Sequence, residues 1–221
     1  MRRPVDHVIW DWNGTLYDDS HVVVAAVNDV LAHHGLPSID ADYYRTHYQR
    51  PVHRFYEAMI GRPLLDEDWQ LLDQLFHDGY AGRIPQIALT ADAELVLRRV
   101  ADTGATQSVL SMWRHDGLFP VVHAIGVADY FVEIDGLKGA AGGSKSEKMA
   151  EHLQRLAETV GVLPDSVVMI GDALDDAVAA ESAGVRCVLY NGGSHHRPAL
   201  EAVGVPVADT LVDALDLALG S

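Results

Sequence analysis

The residues with the clearest chemical potential stand at the ends of short apolar runs. Val8-Ile9-Trp10 leads directly into Asp11-Trp12-Asn13-Gly14-Thr15. A carboxylate delivered by a buried strand can hold a metal ion or attack phosphorus. Gly14 lets the backbone turn tightly and Thr15 adds a hydroxyl. An aspartate there can also do no more than cap a turn. Val167-Val168-Met169-Ile170 leads in the same way into Gly171-Asp172-Ala173-Leu174-Asp175-Asp176. Acids suit a helix start, where they meet free amides and the positive end of the dipole. That accounts for one carboxylate more easily than for three. Several carboxylates at one strand end repel each other, and a divalent cation offsets the repulsion. Ser111 closes Ser108-Val109-Leu110-Ser111, and its hydroxyl can meet a phosphoryl oxygen, although serine is common at turns. Gly143-Ser144-Lys145 opens a helical pattern, with Lys148 one turn further on. A lysine there can balance developing negative charge; the ordinary fate of lysine is a solvated surface.

These groups need strands to aim them. The four apolar runs, ending with Arg186-Cys187-Val188-Leu189-Tyr190, have the short, β-branched character of buried parallel strands. Helical patterns separate them: 93–101 with a stop at Gly104, 148–160 with Gly161 following, and 175–183 with Gly184. Strands alternating with helices predict an α/β fold built on a parallel sheet. Residues 20–83 differ. They carry four helix-like segments (22–34, 40–48, 52–60 and 66–80), no convincing strand, and Gly/Pro joints at Gly35-Leu36-Pro37 and Gly61-Arg62-Pro63. This predicts a small all-α unit inserted after the first strand, over 20–83, with 1–19 and 84–221 forming the α/β core. The Gly/Ala-rich stretch 136–144 is expected to be a mobile loop.

Composition limits the options. The 221 residues suffice for one full core and a small second unit. The net charge of −16 disfavours nucleic acid and anionic lipid as partners. No apolar stretch approaches the roughly 18 residues needed to span a bilayer, and the N-terminus has no signal-peptide pattern. The single cysteine, Cys187, sits in an apolar run and is expected to be a small core residue. The expected compartment is the cytoplasm, and the chain is expected to be a monomer or homodimer.

Taken in order, the four groups resemble the motifs of the haloacid dehalogenase superfamily: Asp11-Trp12-Asn13-Gly14-Thr15, Ser111, Lys145, and Gly171-Asp172 with Asp176. The match runs from Val8 to about Tyr190, and the helical insertion resembles the α-helical cap of phosphoglycolate-phosphatase-like members. The resemblance implies a Rossmann-like core and a magnesium-dependent hydrolase that removes phosphate from a small phosphorylated metabolite. It makes Asp11 the nucleophile that forms an aspartyl-phosphate. Mg²⁺ would be held by Asp11, the backbone carbonyl of Asn13, and Asp172. Thr15 and Ser111 would bind phosphoryl oxygens, Lys145 would balance charge with Lys148 as the alternative, and Asp176 would support the metal waters or the lysine, with Asp175 a weaker substitute.

The sequence departs from the family pattern at Asn13. Members that are phosphatases usually carry an aspartate there, which protonates the leaving oxygen and then activates water. An amide cannot exchange a proton in this way, and such catalysis is commonly worth ~10²–10⁴-fold. Three outcomes follow: slow turnover, a substitute acid such as His21, His115, His195 or His196, or a substrate that is an activated ester. Met112 stands where members often have asparagine, making that side more apolar. Trp12 and Trp113 flank the motifs and suit either the site or the core. Arg50, His53, Arg54 and Arg62 are the cations available in the insertion to meet a substrate anion. The polar loop 191–197 lies where it can touch substrate or cap. Two other functions compete: a weak or non-catalytic metal-dependent binder of phosphometabolites, and a dehalogenase-type hydrolase. The absence of lysine from 20–83 argues against C–P cleavage.

Overall fold

The computed structural model describes residues 4–138 and 143–220. At its centre is β1 (His7–Trp10), all four residues of which are buried. It pairs in parallel with β2 (Thr106–Arg114) on one side and β4 (Val167–Gly171) on the other. With β3 (Glu133–Leu137), β5 (Arg186–Tyr190) and β6 (Val207–Ala208) they form a six-stranded parallel sheet in the order β3-β2-β1-β4-β5-β6. The chain is α/β with a Rossmann-like sheet. Strand order reverses between β1 and β4, the place where open parallel sheets bind ligands at their carboxyl ends.

The alternation of side chains along each strand builds two separate cores. Val8 and Trp10 face α5 (Ala93–Thr103), α6 (His115–Ile125) and α10 (Leu211–Leu219), with Val96, Leu118 and Leu215 in the packed layer. Ile9 and Met169 face α7 (Lys145–Thr159) and α8 (Leu174–Ser182), through Met149, Leu156 and Ala177. Cys187 is buried on this second face, as expected of a small core residue. A short helix, α9 (Arg197–Glu201), precedes β6.

A buried polar chain ties α7 to the sheet. His7 meets Thr106 at 2.7 Å and Ser108 at 2.8 Å, Ser108 meets His152 at 2.7 Å, and His152 meets Asp135 at 2.5 Å. Burial, with His152 adding to it, pushes His7 down to about 3, so its ring is neutral. This chain matters to function because α7 begins with Lys145.

Residues between β1 and α5 fold into α1 (Ser20–His33), α2 (Ala41–His47), α3 (Val52–Ile60) and α4 (Asp66–Ala81). These four helices have their own apolar cluster, including Val27, Leu31, Tyr44, Phe55 and Leu72. Asp40 caps α2 by accepting from the Tyr43 amide at 2.8 Å, and α3 stops at Gly61, whose φ of 77° suits glycine.

Several elements differ from the sequence expectation. Strand β2 does not end at Ser111 but runs to Arg114, with a register shift against β3 between Leu110 and Arg114. The Ser111 hydroxyl fills that irregularity by accepting from the Trp113 amide at 3.0 Å. Strand β3, Glu-Ile-Asp-Gly-Leu, lacks a β-forming composition, and α6 carries Pro120, so neither announces itself. Gly136, expected in a loop, lies within β3, where a Cβ would come within 2.6 Å of the Trp113 carbonyl. Residues 139–142 of that stretch lie outside the described residues.

Candidate active site

Asp11 is the first residue past β1, its amide still bonded to the Ile170 carbonyl at 2.9 Å. Asp172 follows β4 on the neighbouring strand, and Asp176 lies in the first turn of α8. A capping box starts α7: Ser144 accepts from the Glu147 amide at 3.2 Å, and Glu147 accepts from the Ser144 amide at 2.8 Å. That cap places Lys145 at the helix start, where its ammonium donates to Asp11 and pairs with Asp176. Lys148 instead pairs with Glu151 at 3.0 Å on the same helix.

Asp11, Asp172 and Asp176 present oxygens within 4.8 Å of one another, and all three are buried. Burial raises each carboxyl, Asp11 to about 7, against the opposing pull of Lys145. Burial pulls the Lys145 ammonium down, but Asp11, Asp176 and Asp175 together hold it above its ordinary range. One cation among three buried acids leaves an excess of negative charge. Asp172 is held on both sides: its Oδ1 accepts from Thr15 Oγ1 at 3.0 Å and its Oδ2 from the Ser194 amide at 2.6 Å. Gly14 comes so close that a Cβ there would lie 2.7 Å from Asp172.

Asn13 is half-buried and fully engaged. Its Nδ2 donates to Asp19 Oδ2 at 2.7 Å and to the Tyr80 hydroxyl at 3.0 Å, while its Oδ1 accepts from Ser111 Oγ at 3.2 Å. Tyr80 also donates to Asp19 Oδ2, at 2.6 Å, and the Gly14 amide to Asp19 Oδ1, at 2.8 Å. Burial pushes Asp19 upward, and these donors oppose the shift. Above this floor opens a cavity of about 290 Å³. Core residues Asp11, Asn13, Ser111 and Lys145 line its base, and side chains of α1–α4 line its walls.

A family profile described as haloacid dehalogenase-like hydrolase matches residues 5–184. The chain belongs to the haloacid dehalogenase-like hydrolases. Among its curated relatives is a phosphoglycolate phosphatase of Caulobacter vibrioides, 28% identical over 201 residues, covering 89% of this chain and 83% of that protein. Another, from Vibrio vulnificus, is 27% identical and covers 100% of this chain and 99% of its own. The solved structure of protein tyrosine kinase A from Mycobacterium tuberculosis superposes with a TM-score of 0.80 at 24% identity, covering 99% of this chain and 100% of that one. The same fold is thus shared by proteins of different names, and function has to be argued from the site.

The residues singled out by the sequence divide sharply. Asp11, Asn13, Ser111, Lys145 and Asp172 line one cavity, and Asp176 stands behind Lys145. Thr15 is fully buried and its hydroxyl donates to Asp172 Oδ1 at 3.0 Å, because the turn at Gly14 folds it beneath the carboxylate. Among the histidines, His21 is exposed, and His195 is buried with its ring 5.6 Å from that of Tyr48. None of the four hydrogen-bonds Asn13 among the described residues. Trp12 is fully buried and stacks on Tyr17 at 5.3 Å, whereas Trp113 and Met112 line the cavity. Arg50 lines it too, 3.3 Å from Asp175, while Arg62 is spent on Asp68.

Sequence reasoning missed Asp19, Tyr80 and Arg45, and it placed the loop 191–197 where it can touch substrate or cap without singling out Ser194. Asp18-Asp19 looks like any acidic turn, yet Asp18 is exposed and Asp19 buried. Arg45 of α2 donates to the carbonyls of Asn191 and His195, at 2.6 and 3.1 Å. It thereby holds the loop whose Ser194 amide grips Asp172. No local signal marks either contact: Arg45 meets a loop 146 positions later, and the Ser194 amide reaches Asp172 across 22 residues that include α8 and β5.

Proposed function

We propose that this chain is a magnesium-dependent phosphatase that removes phosphate from a small phosphorylated metabolite through an aspartyl-phosphate on Asp11. The observation that carries the reading is the convergence of Asp11, Asp172, Asp176 and Lys145 at the switch point of the sheet, at and just beneath the floor of the cavity. The donor set fits a hard divalent cation, being carboxylate oxygens in negative excess with Asp172 oriented from both sides. Asp11, Asp172 and the backbone carbonyl of Asn13 would hold Mg²⁺. Bound there, it would neutralise phosphoryl charge. Asp11 attacks phosphorus in line with the leaving oxygen; Lys145 and the Ser111 hydroxyl steady the phosphoryl oxygens; Asp176 keeps Lys145 aimed. Thr15 acts through Asp172 by fixing its carboxylate. Residues 1–19 and 84–221 are the catalytic core, and 20–83 is a cap that encloses the substrate.

Asn13 favours a second reading, a binder of phosphorylated compounds with negligible turnover, because no proton is available from that position. One experiment separates the two. Phosphate release is measured from a panel including p-nitrophenyl phosphate and 2-phosphoglycolate, with and without Mg²⁺, for the natural chain and for Asp11→Asn. Magnesium-dependent release lost in Asp11→Asn supports the phosphatase. Magnesium-dependent binding without release supports the binder.

A further inference from the structure

The cavity over Asp11 has a charged floor and aromatic walls. Tyr44, Tyr48, Phe55, Trp69 and Phe76 come from the helices, and Trp113 from the end of β2. The rings meet edge to face: Tyr44 and Phe55 lie 5.6 Å apart at 80°, Tyr48 and Phe55 6.1 Å apart at 67°. Arg50 is the one arginine among the described lining residues, and Asp175 already pairs with it. Asp19 and Asp73 add negative charge to the same enclosure. A second anionic group on the substrate would therefore meet two carboxylates and an arginine that has a partner. A flat apolar group would meet ring faces and edges.

A second observation concerns the leaving group. The Asn13 amide is occupied by Asp19, Tyr80 and Ser111, and an amide has no proton to give in any case. An alkoxide has a conjugate-acid pKa near that of water, about 16, and departs poorly without a proton. A phenolate, at about 10, departs without one.

We infer that the substrates are aryl phosphates, monoesters of phenol-like alcohols whose ring lies among Tyr48, Phe55 and Trp69 while the phosphate rests on the Asp11 floor. The inference rests on the phosphatase reading. In the first step a carboxylate oxygen of Asp11 forms a bond to phosphorus and the P–O(aryl) bond breaks, its electron pair leaving on the phenolate oxygen. In the second, water attacks phosphorus, the P–O(Asp11) bond breaks to restore the carboxylate, and inorganic phosphate leaves with the proton released to solvent.

The test compares kcat/KM for phenyl and 2-naphthyl phosphate with ethyl phosphate, 2-phosphoglycolate and acetyl phosphate. Acetyl phosphate is activated but has no ring. Phenyl phosphate should exceed ethyl phosphate and 2-phosphoglycolate by about 10²-fold or more. Trp69→Leu, and separately Trp69→Ala, should lower kcat/KM for 2-naphthyl phosphate by about threefold to tenfold more than for acetyl phosphate. Thermal melting of each variant shows that it folds. If 2-phosphoglycolate or ethyl phosphate is turned over as well as phenyl phosphate, in a reaction that Asp11→Asn abolishes, the aryl inference falls and the phosphatase stands. If Trp69→Leu affects both activated esters equally or neither, the ring does not lie where it is placed here. If no ester is turned over in an Asp11-dependent way, the phosphatase reading fails and the inference with it.

Discussion

Asn13→Asp restores the residue that related phosphatases usually carry, and the geometry says that by itself it should do harm. The amide nitrogen of Asn13 sits 2.7 Å from Asp19 Oδ2, in a cluster where Tyr80 and Gly14 also donate to that carboxylate. A carboxylate in place of the amide turns a donor into a second anion. Two unit charges about 4 Å apart at an effective dielectric of about 20 repel by about 4 kcal/mol, or roughly three pK units. The pair then shares a proton up to about pH 7, since three units are added to an ordinary carboxylate value of about 4. A carboxyl raised in the folded state stabilises fully below its unfolded value, and that contribution is lost as pH rises through the folded one. Asn13→Asp should therefore melt close to the natural chain at pH 5 and well below it at pH 8.5, by about 8 °C or more at about 2 °C per kcal/mol. Adding Asp19→Asn removes the repulsion and should close most of the gap. Melting curves in a chelating buffer at both pH values read this directly. Equal melting temperatures for Asn13→Asp and the natural chain at pH 8.5 would refute the claim that Asn13 is chosen to satisfy Asp19.

Other outcomes follow from the same contacts. The double variant Asn13→Asp with Asp19→Asn should raise turnover of poor leaving groups more than Asn13→Asp alone, within the ~10²–10⁴-fold range of acid–base catalysis, as initial rates on ethyl phosphate will show. Thr15→Val removes the donor to Asp172 Oδ1 and should weaken Mg²⁺ about 10- to 100-fold in calorimetric titration, with little effect if Thr15 touched the phosphoryl group instead. Because Asp11 rises to about 7 and its neighbours rise with it through burial, the metal-free chain should lose stability as pH climbs through about 7. Added Mg²⁺ should accordingly raise Tm more at pH 8 than at pH 5.5. With no acid–base group at position 13, hydrolysis of the aspartyl-phosphate should limit the cycle. Stopped-flow measurement with p-nitrophenyl phosphate should then show a burst of one phenolate per site, and a linear trace would contradict it.

The sequence carried the parts of the fold that local patterns encode. Apolar runs ending at Asp11 and Ile170 marked the two strands that flank the switch point, and helix spacing with glycine stops marked α5, α7 and α8. Strands β3 and β6 were not legible, one for its Glu/Asp/Gly content and the other for its two-residue length. Helix α6 was hidden by Pro120. At the site, Asp11 and Asp172 could be placed together because each follows a strand and Lys145 because it opens a helix, while Ser111 lies inside β2, at its irregularity, rather than at its end. The Thr15–Asp172 contact was not legible because a hydroxyl after a tight turn has two possible directions, and only packing selects the one under Asp172. Asp19 and Tyr80 were invisible for a related reason: their role is set by a meeting between the first turn and a helix 61 positions later. The aromatic walls were present in the sequence as scattered rings whose convergence needed the helices folded over the core.

The most direct test of the account is to trap the phosphoryl group. Enzyme, Mg²⁺ and p-nitrophenyl phosphate are mixed, quenched in acid within one turnover, digested and analysed by mass spectrometry. The account predicts one added phosphoryl group on the peptide holding Asp11, labile to hydroxylamine and missing from Asp11→Asn. Undiminished turnover by Asp11→Asn, or a phosphoryl group carried on any other residue, would contradict it.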